Sequence, residues 1–167
     1  MSDLEVFHIV TQRRVADAFT GEGARLYGGR WNPKGIRVVY TASSRALAML
    51  EMLAQDQPLR ARYVIIPATI PASIPMERVA ITKLSTDWSE SGQNNALRAM
   101  GADWVRRGKS AILCVPSAVV PSEFNYLINP RHPDFGRIKI GKAEVIKTDA
   151  RLIQKITDKT TSKRRQG

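Results

Sequence analysis

The chain has 167 residues, a formal net charge of +11, 43% hydrophobic and 25% charged residues, and a single cysteine. That length suits one domain with a real core, and one cysteine excludes the disulfide-stapled secreted class. The start, MSDLEVFHIVTQRR, lacks the pattern of a secretory leader, and the most apolar window, residues 63–75, is cut by Pro67 and Pro71, so a soluble, cytoplasmic protein is expected.

Residues 6–10 (VFHIV) read as a first strand, residues 15–19 as a short helix, and residues 21–35 as a glycine-rich loop. Residues 37–41 (RVVYT), β-branched and aromatic, predict a second strand. Thr41, Ser43 and Ser44 offer N-caps for a helix that runs to about Gln55 and is closed by Pro58. Ala46, Leu47, Leu50, Leu53 and Ala54 form its apolar stripe. Residues 62–70 predict another strand. Asn94 or Asn95 caps a helix with Leu97, Met100 and Trp104 on one side, and Gly108 supplies its left-handed stop. Residues 111–115 (AILCV) are continuously apolar and read as a central strand, and residues 124–128 and 143–147 predict two more. Strands outnumber long helices and do not alternate with them. The expected class is therefore α+β, a mixed or antiparallel central sheet with flanking helices, not a doubly wound fold.

The excess charge is unevenly placed. Residues 137–167 carry ten basic and three acidic side chains, against sixteen and twelve in the rest of the chain. A basic end of this kind reads first as a solvated terminus and second as an arm for an acidic partner. We therefore divide the chain into a main domain over residues 1–150 and a basic tail over residues 151–167, which starts as a helix and is then expected to be disordered. A nucleic-acid-binding module is the reading that the charge alone would suggest. It would require salt-dependent binding, and the aromatics do not interleave with the arginines.

Three places carry chemistry. The segment GEGARLYGGRWNPKG, residues 21–35, has neither the GxGxxG dinucleotide fingerprint nor a GK[ST] phosphate loop. It reads either as a wide hairpin turn or as a tight loop on which Arg30 forks onto a phosphate or carboxylate. Glu51 falls about 100° from Leu50 on the helical wheel, at the edge of the buried face. A carboxylate there is either salt-bridged to an arginine or aimed into a cleft. Ser117 follows the apolar strand in PSAVVP, outside any GxSxG elbow, and so is not read as a hydrolase nucleophile. With only His8, His132 and the lone Cys114 available, no metal cluster is expected.

The runs GEGARLYGGRWNPKG, VVYTASS with ALAMLEML, and VPSAVVPSEFNYLINPRHPDF together resemble the RES-domain proteins, named for an Arg, a Glu and a Ser. The resemblance covers roughly residues 6–150, so the main domain is the RES domain, and it implies that Arg30, Glu51 and Ser117 are the three namesakes. Tyr40 matches the aromatic at the end of the second strand, and Tyr27 and Asn129 are secondary candidates for lining the cleft. The resemblance further implies a fold similar to diphtheria-toxin-like ADP-ribosyltransferases and the role of toxin in a bacterial toxin–antitoxin pair. Such proteins consume NAD+ as substrate, either by cleaving the nicotinamide–ribose bond, with water or phosphate as acceptor, or by transferring ADP-ribose to a protein. The implied partner is a helix-turn-helix antitoxin that covers the active site and itself contacts DNA, with neither direct DNA binding nor membrane association by the toxin. An inert relative with a lapsed site is disfavoured by the presence of all three namesakes.

Overall fold

The computed structural model describes residues 2–55, 62–90, 92, 94–147 and 149–152. The tail beyond Leu152, and Pro58 as a helix stop, lie outside the described residues.

In chain order the elements are β1 (Leu4–Thr11), a 3-10 turn (Gln12–Asp17), α1 (Glu22–Tyr27), β2 (Val39–Ala42), α2 (Arg45–Leu53), β3 (Tyr63–Ile70), β4 (Met76–Arg78), α3 (Asn95–Arg107), β5 (Ile112–Pro116), β6 (Phe124–Ile128), β7 (Lys139–Ile140) and β8 (Glu144–Val145). The strands form one mixed sheet in the order β4-β5-β6-β2-β1-β3-β7, with β8 also on β3. Every pair is antiparallel except β4 with β5. The fold is α+β, as its sequence pattern indicates.

Side chains alternate across the strands, and the alternation sorts them into distinct cores. Val6, Val39, Val64, Ile66, Ile112 and Ile128 share one face of the curled sheet. On the other face α2 packs Leu47 and Ala48 against Phe7, Ala42 and Ile65. There too α3 packs Leu97 and Trp104 against Leu113, Val115 and Leu127. The two helices therefore cover separate patches of one face. Between them Tyr40, on the same face of β2 as Ala42, is left only partly covered.

Several expectations change. The glycine-rich segment is not all loop: α1 occupies its first half, between Gly21 and Gly28, both left-handed at φ 68° and 72°. Glu22 pairs with Arg25 one turn on and with Arg37 ahead of β2, so local ion pairing holds a helix too short to persist alone. The strand at residues 111–115 is fully buried yet lies one place from the sheet edge, because β4 pairs beside it and α3 covers it. Residues 143–147 yield only the two-residue β8. In α3, Met100 is 37% exposed, and the buried positions are Leu97, Gly101, Ala102 and Trp104. Asn94 precedes α3 without capping it, its amide donating instead to the Trp88 carbonyl. No helix among the described residues is long and apolar enough to cross a membrane.

Candidate active site

The uncovered region is a cleft of about 570 Å³, a volume typical of cofactor and small-molecule sites. Its walls come from β1 and β2, the turn at Gly28–Trp31, the inner side of α2 and the chain around Pro116 and Asn125. Among the described lining residues Glu51 is the only carboxylate and Arg30 the only guanidinium.

Glu51 reaches the cleft because α2 is rotated from the orientation its apolar residues suggest. The helix starts at Ser44, whose Oγ accepts the Leu47 N–H at 3.0 Å. Its buried residues are Leu47, Ala48 and Met52, whereas Leu50 is 44% exposed. At about 100° per residue, Glu51 lies between Leu47 and Met52, inside the buried arc. Its carboxylate is held through one oxygen, for Oε1 accepts from Ser117 Oγ at 2.7 Å and from Asn125 Nδ2 at 2.6 Å. Oε2 has no hydrogen-bond partner among the described residues, so one oxygen is anchored and the other is open.

Ser117 is fully buried behind Glu51 and does not line the cleft. Its Oγ donates to Glu51 and accepts the Val119 and Val120 N–H groups at 3.1 and 3.0 Å. A hydroxyl has one donor and two acceptor sites, and all three are taken. Ser117 thus ties the turn after β5 to the carboxylate and has no capacity left for a ligand. Ser117→Ala removes the acceptor for two part-buried N–H groups as well as one of the donors to Glu51. We expect a loss of about 1–3 kcal/mol in stability and a fall in turnover, with Ser117→Thr recovering part of both. Thermal melts beside initial rates check this.

Arg30 and Trp31 sit at the tip of a turn closed by the Gly29 N–H to the Asn32 carbonyl at 2.9 Å. Trp31 plunges into the core at 2% exposure, 6.5 Å from the ring of Trp88. Arg30 turns the other way, with Nη1 donating to the carbonyls of Trp88 and Glu90 at 3.0 and 3.2 Å. Nη2 and Nε keep their donors for a ligand, and no carboxylate among the described residues pairs with this arginine.

The Tyr40 hydroxyl donates to Asn32 Oδ1 at 2.6 Å and accepts from the Trp31 N–H at 3.1 Å. Burial pushes the phenol's pKa well up, so it stays a donor at every physiological pH. The ring is thereby fixed as a wall of the cleft. Gly29 allows this approach, since a Cβ there would stand 2.5 Å from the Tyr40 hydroxyl. Beneath Tyr40, His8 Nδ1 lies 2.7 Å from its carbonyl, and burial lowers the imidazole's pKa. A carbonyl can only accept, so a neutral ring in this contact has its proton on Nδ1.

Tyr27 stands at the mouth, 74% exposed at the end of α1. Asn129 is not in the cleft. It is buried beyond the far end of β6, where Oδ1 accepts the Arg131 N–H at 3.0 Å and shapes the following turn. The asparagine that reaches Glu51 is Asn125, four residues and roughly 13 Å earlier along the strand. Strand pairing could have pointed to it, since Asn125 lies opposite Val115, two residues before Ser117. Asn32 is the other residue overlooked. Fully buried, its amide donates to the carbonyls of Ala24, Pro33 and Ile36 and so holds α1 against the Arg30 turn.

An arginine on a turn and a glutamate on a helix thus face one cleft, and a serine at a strand end holds the glutamate from behind. The sequence model described as RES domain matches residues 5–149. The chain belongs to the RES domain family. It is 38% identical over 158 residues to the Prs ADP-ribosylating toxin of Sphingobium sp. (strain YBL2), covering 89% of this chain and 96% of that protein. It is also 38% identical over 132 residues to Toxin Res of Yersinia enterocolitica serotype O:8, covering 78% of this chain and 86% of the relative. Among solved structures it is similar to the crystal structure of the M. tuberculosis MbcT–MbcA toxin–antitoxin complex, with a TM-score of 0.71 at 19% identity over 91% of this chain and 88% of the other. That likeness concerns the fold.

Proposed function

We propose that this RES-domain protein is the toxin of a toxin–antitoxin pair, an enzyme that cleaves the nicotinamide–ribose bond of NAD+ in the cytoplasm. The observation that carries the reading is the carboxylate of Glu51, fixed through Oε1 and open at Oε2, in a cleft where Arg30 is the one guanidinium among the described residues.

Nicotinamide in NAD+ is a cationic leaving group that departs neutral, so no acid is required to expel it. The barrier lies in the oxocarbenium character of the ribose, as in glycoside hydrolysis. A fixed negative charge beside the sugar lowers that barrier without reorganising during the reaction. Glu51 Oε2 is the atom placed for this, with a ribose hydroxyl as a further partner. Tyr40 offers its ring face to the pyridinium, and the spare N–H groups of Arg30 take the diphosphate. Ser117 acts through Glu51 as a positioning residue. Tyr27 flanks the entrance, where a helix-turn-helix antitoxin would cover the cleft, and the antitoxin supplies any DNA contact.

Release of nicotinamide is common to two outcomes, and the name of the Sphingobium relative, an ADP-ribosylating toxin, favours a second reading, transfer of ADP-ribose to a protein. Incubating the purified chain with adenylate-labelled NAD+, with and without cell lysate, separates them. Free ADP-ribose or its phosphate in buffer supports depletion, a labelled protein band only with lysate supports transfer, and intact NAD+ in both removes the proposal. Arg30→Ala is expected to weaken NAD+ binding by about ten- to a hundred-fold, the worth of a charged hydrogen bond or two. Titration calorimetry beside a thermal melt checks this, since the same change also frees the Trp88 and Glu90 carbonyls. Unchanged affinity in a folded variant would remove Arg30 from the binding site.

A further inference from the structure

One polar atom of the cleft wall is unaccounted for. Asn125 lines the cleft, and its Nδ2 is committed to Glu51 Oε1 at 2.6 Å. Its Oδ1 is sealed from solvent and has no hydrogen-bond partner. It is the one buried side-chain oxygen or nitrogen among the described residues in that condition. Turning the amide over offers no remedy, because Oδ1 would then face Glu51 Oε1, acceptor against acceptor. Ser117 cannot help either, since its hydroxyl is fully subscribed. Asn125 is therefore held in an orientation set by Glu51 that leaves a buried acceptor unpaired, a cost proteins seldom carry away from functional sites.

We infer that Asn125 is a specificity-determining residue whose Oδ1 accepts a hydrogen bond from an N–H or O–H on the reactive half of the substrate. The inference rests on the reading of the site as an NAD+-cleaving cleft. The inference requires the amide, whose torsion is broad in asparagine, to turn far enough to bring the sealed Oδ1 to the cleft without breaking the contact of Nδ2 with Glu51 Oε1. A single amide then reports to both sides, with its nitrogen fixing the catalytic carboxylate and its oxygen sensing whether a donor has arrived. Two groups of NAD+ near the bond being broken carry such a donor: the nicotinamide carboxamide and a hydroxyl of the adjoining ribose. An analogue lacking the correct donor leaves Oδ1 unpaired, which is how sites built around a hydrogen bond reject ligands that lack it.

The test compares kcat/KM of the full-length wild type, Asn125→Ala and Asn125→Ser on NAD+, on its 3-acetylpyridine analogue, which has a methyl in place of the carboxamide NH₂, and on NAD+ analogues with a single hydroxyl of the nicotinamide-side ribose removed. The wild type is expected to discriminate against one of these by at least about tenfold, and Asn125→Ala to shrink that ratio to within about threefold while losing rate on NAD+. The analogue whose penalty disappears identifies the donor. A loss by the same factor on every substrate would mean that Asn125 only props up Glu51, and would overturn the inference. Should the alanine variant not fold, Asn125→Ser carries the same comparison, since its hydroxyl is too short to replace Oδ1. A wild type that turns over no NAD+ would instead remove the reading of the site, and this inference with it.

Discussion

Glu51→Gln is expected to fold like the wild type and to lose about 10²–10³-fold in NAD+ turnover. The substitution keeps the shape and removes the charge. Glutamine's Oε1 still accepts from Ser117 Oγ and Asn125 Nδ2, so the anchored side of the group survives. At the open side an NH₂ donor replaces Oε2, where a positive charge gathers on the sugar. Two unit charges 4 Å apart at an effective dielectric of 20 interact by about 4 kcal/mol. At 1.36 kcal/mol per decade that is about three decades of rate, an upper figure since only part of a charge develops on the ribose. Preorganised groups of this kind give losses of the same order when removed. A thermal melt and a nicotinamide-release assay on the same preparation decide the matter. Near-normal turnover by a folded variant would mean that the sugar cation is stabilised elsewhere.

Local patterns made the secondary structure legible because they record what each residue does to its own backbone. Ser44 caps α2 and Gly108 ends α3, as their residue types require. What local patterns do not record is what lies opposite. The leucine-rich stripe of α2 suggested Leu50 as its centre, yet the helix turns Leu50 to solvent and Glu51 inward, because the Ser117 hydroxyl and Asn125 amide repay the cost of partly burying the carboxylate. Those partners sit 66 and 74 residues away in the chain. Asn129 and Asn125 belong to one short motif, and only the β5–β6 register separates the one that shapes a turn from the one that holds the carboxylate. The order of the strands was beyond reach for the same reason, since β2 pairs with β6 across about half of the chain.

Gly101→Ala is expected to destabilise the protein by about 3 kcal/mol or more and to impair the cleft, although helix propensity alone predicts the reverse. Inside an exposed helix, alanine in place of glycine gains about 1 kcal/mol. Gly101 is buried in α3, however, and a Cβ there would lie 1.7 Å from the Trp31 carbonyl oxygen, a clash with backbone that no rotamer relieves. One turn earlier, Arg98 Nε donates to the Gly29 carbonyl at 3.0 Å, so α3 is seated on both sides of the turn that carries Arg30. Admitting a methyl requires the helix to lift from that turn, which costs the overpacking penalty and strains the Arg98 contact as well. At about 2–4 °C per kcal/mol for a chain of this size, Tm should fall by about 6–12 °C. Gly23→Ala in α1 is the control, because a Cβ there meets nothing within 4 Å. It should hold or raise Tm. The Gly101 variant should also bind NAD+ more weakly, through Arg30, at temperatures where it is still folded. A Tm at or above the wild-type value would show that α3 does not rest on the Trp31 backbone, and the placing of Arg30 would then need another support.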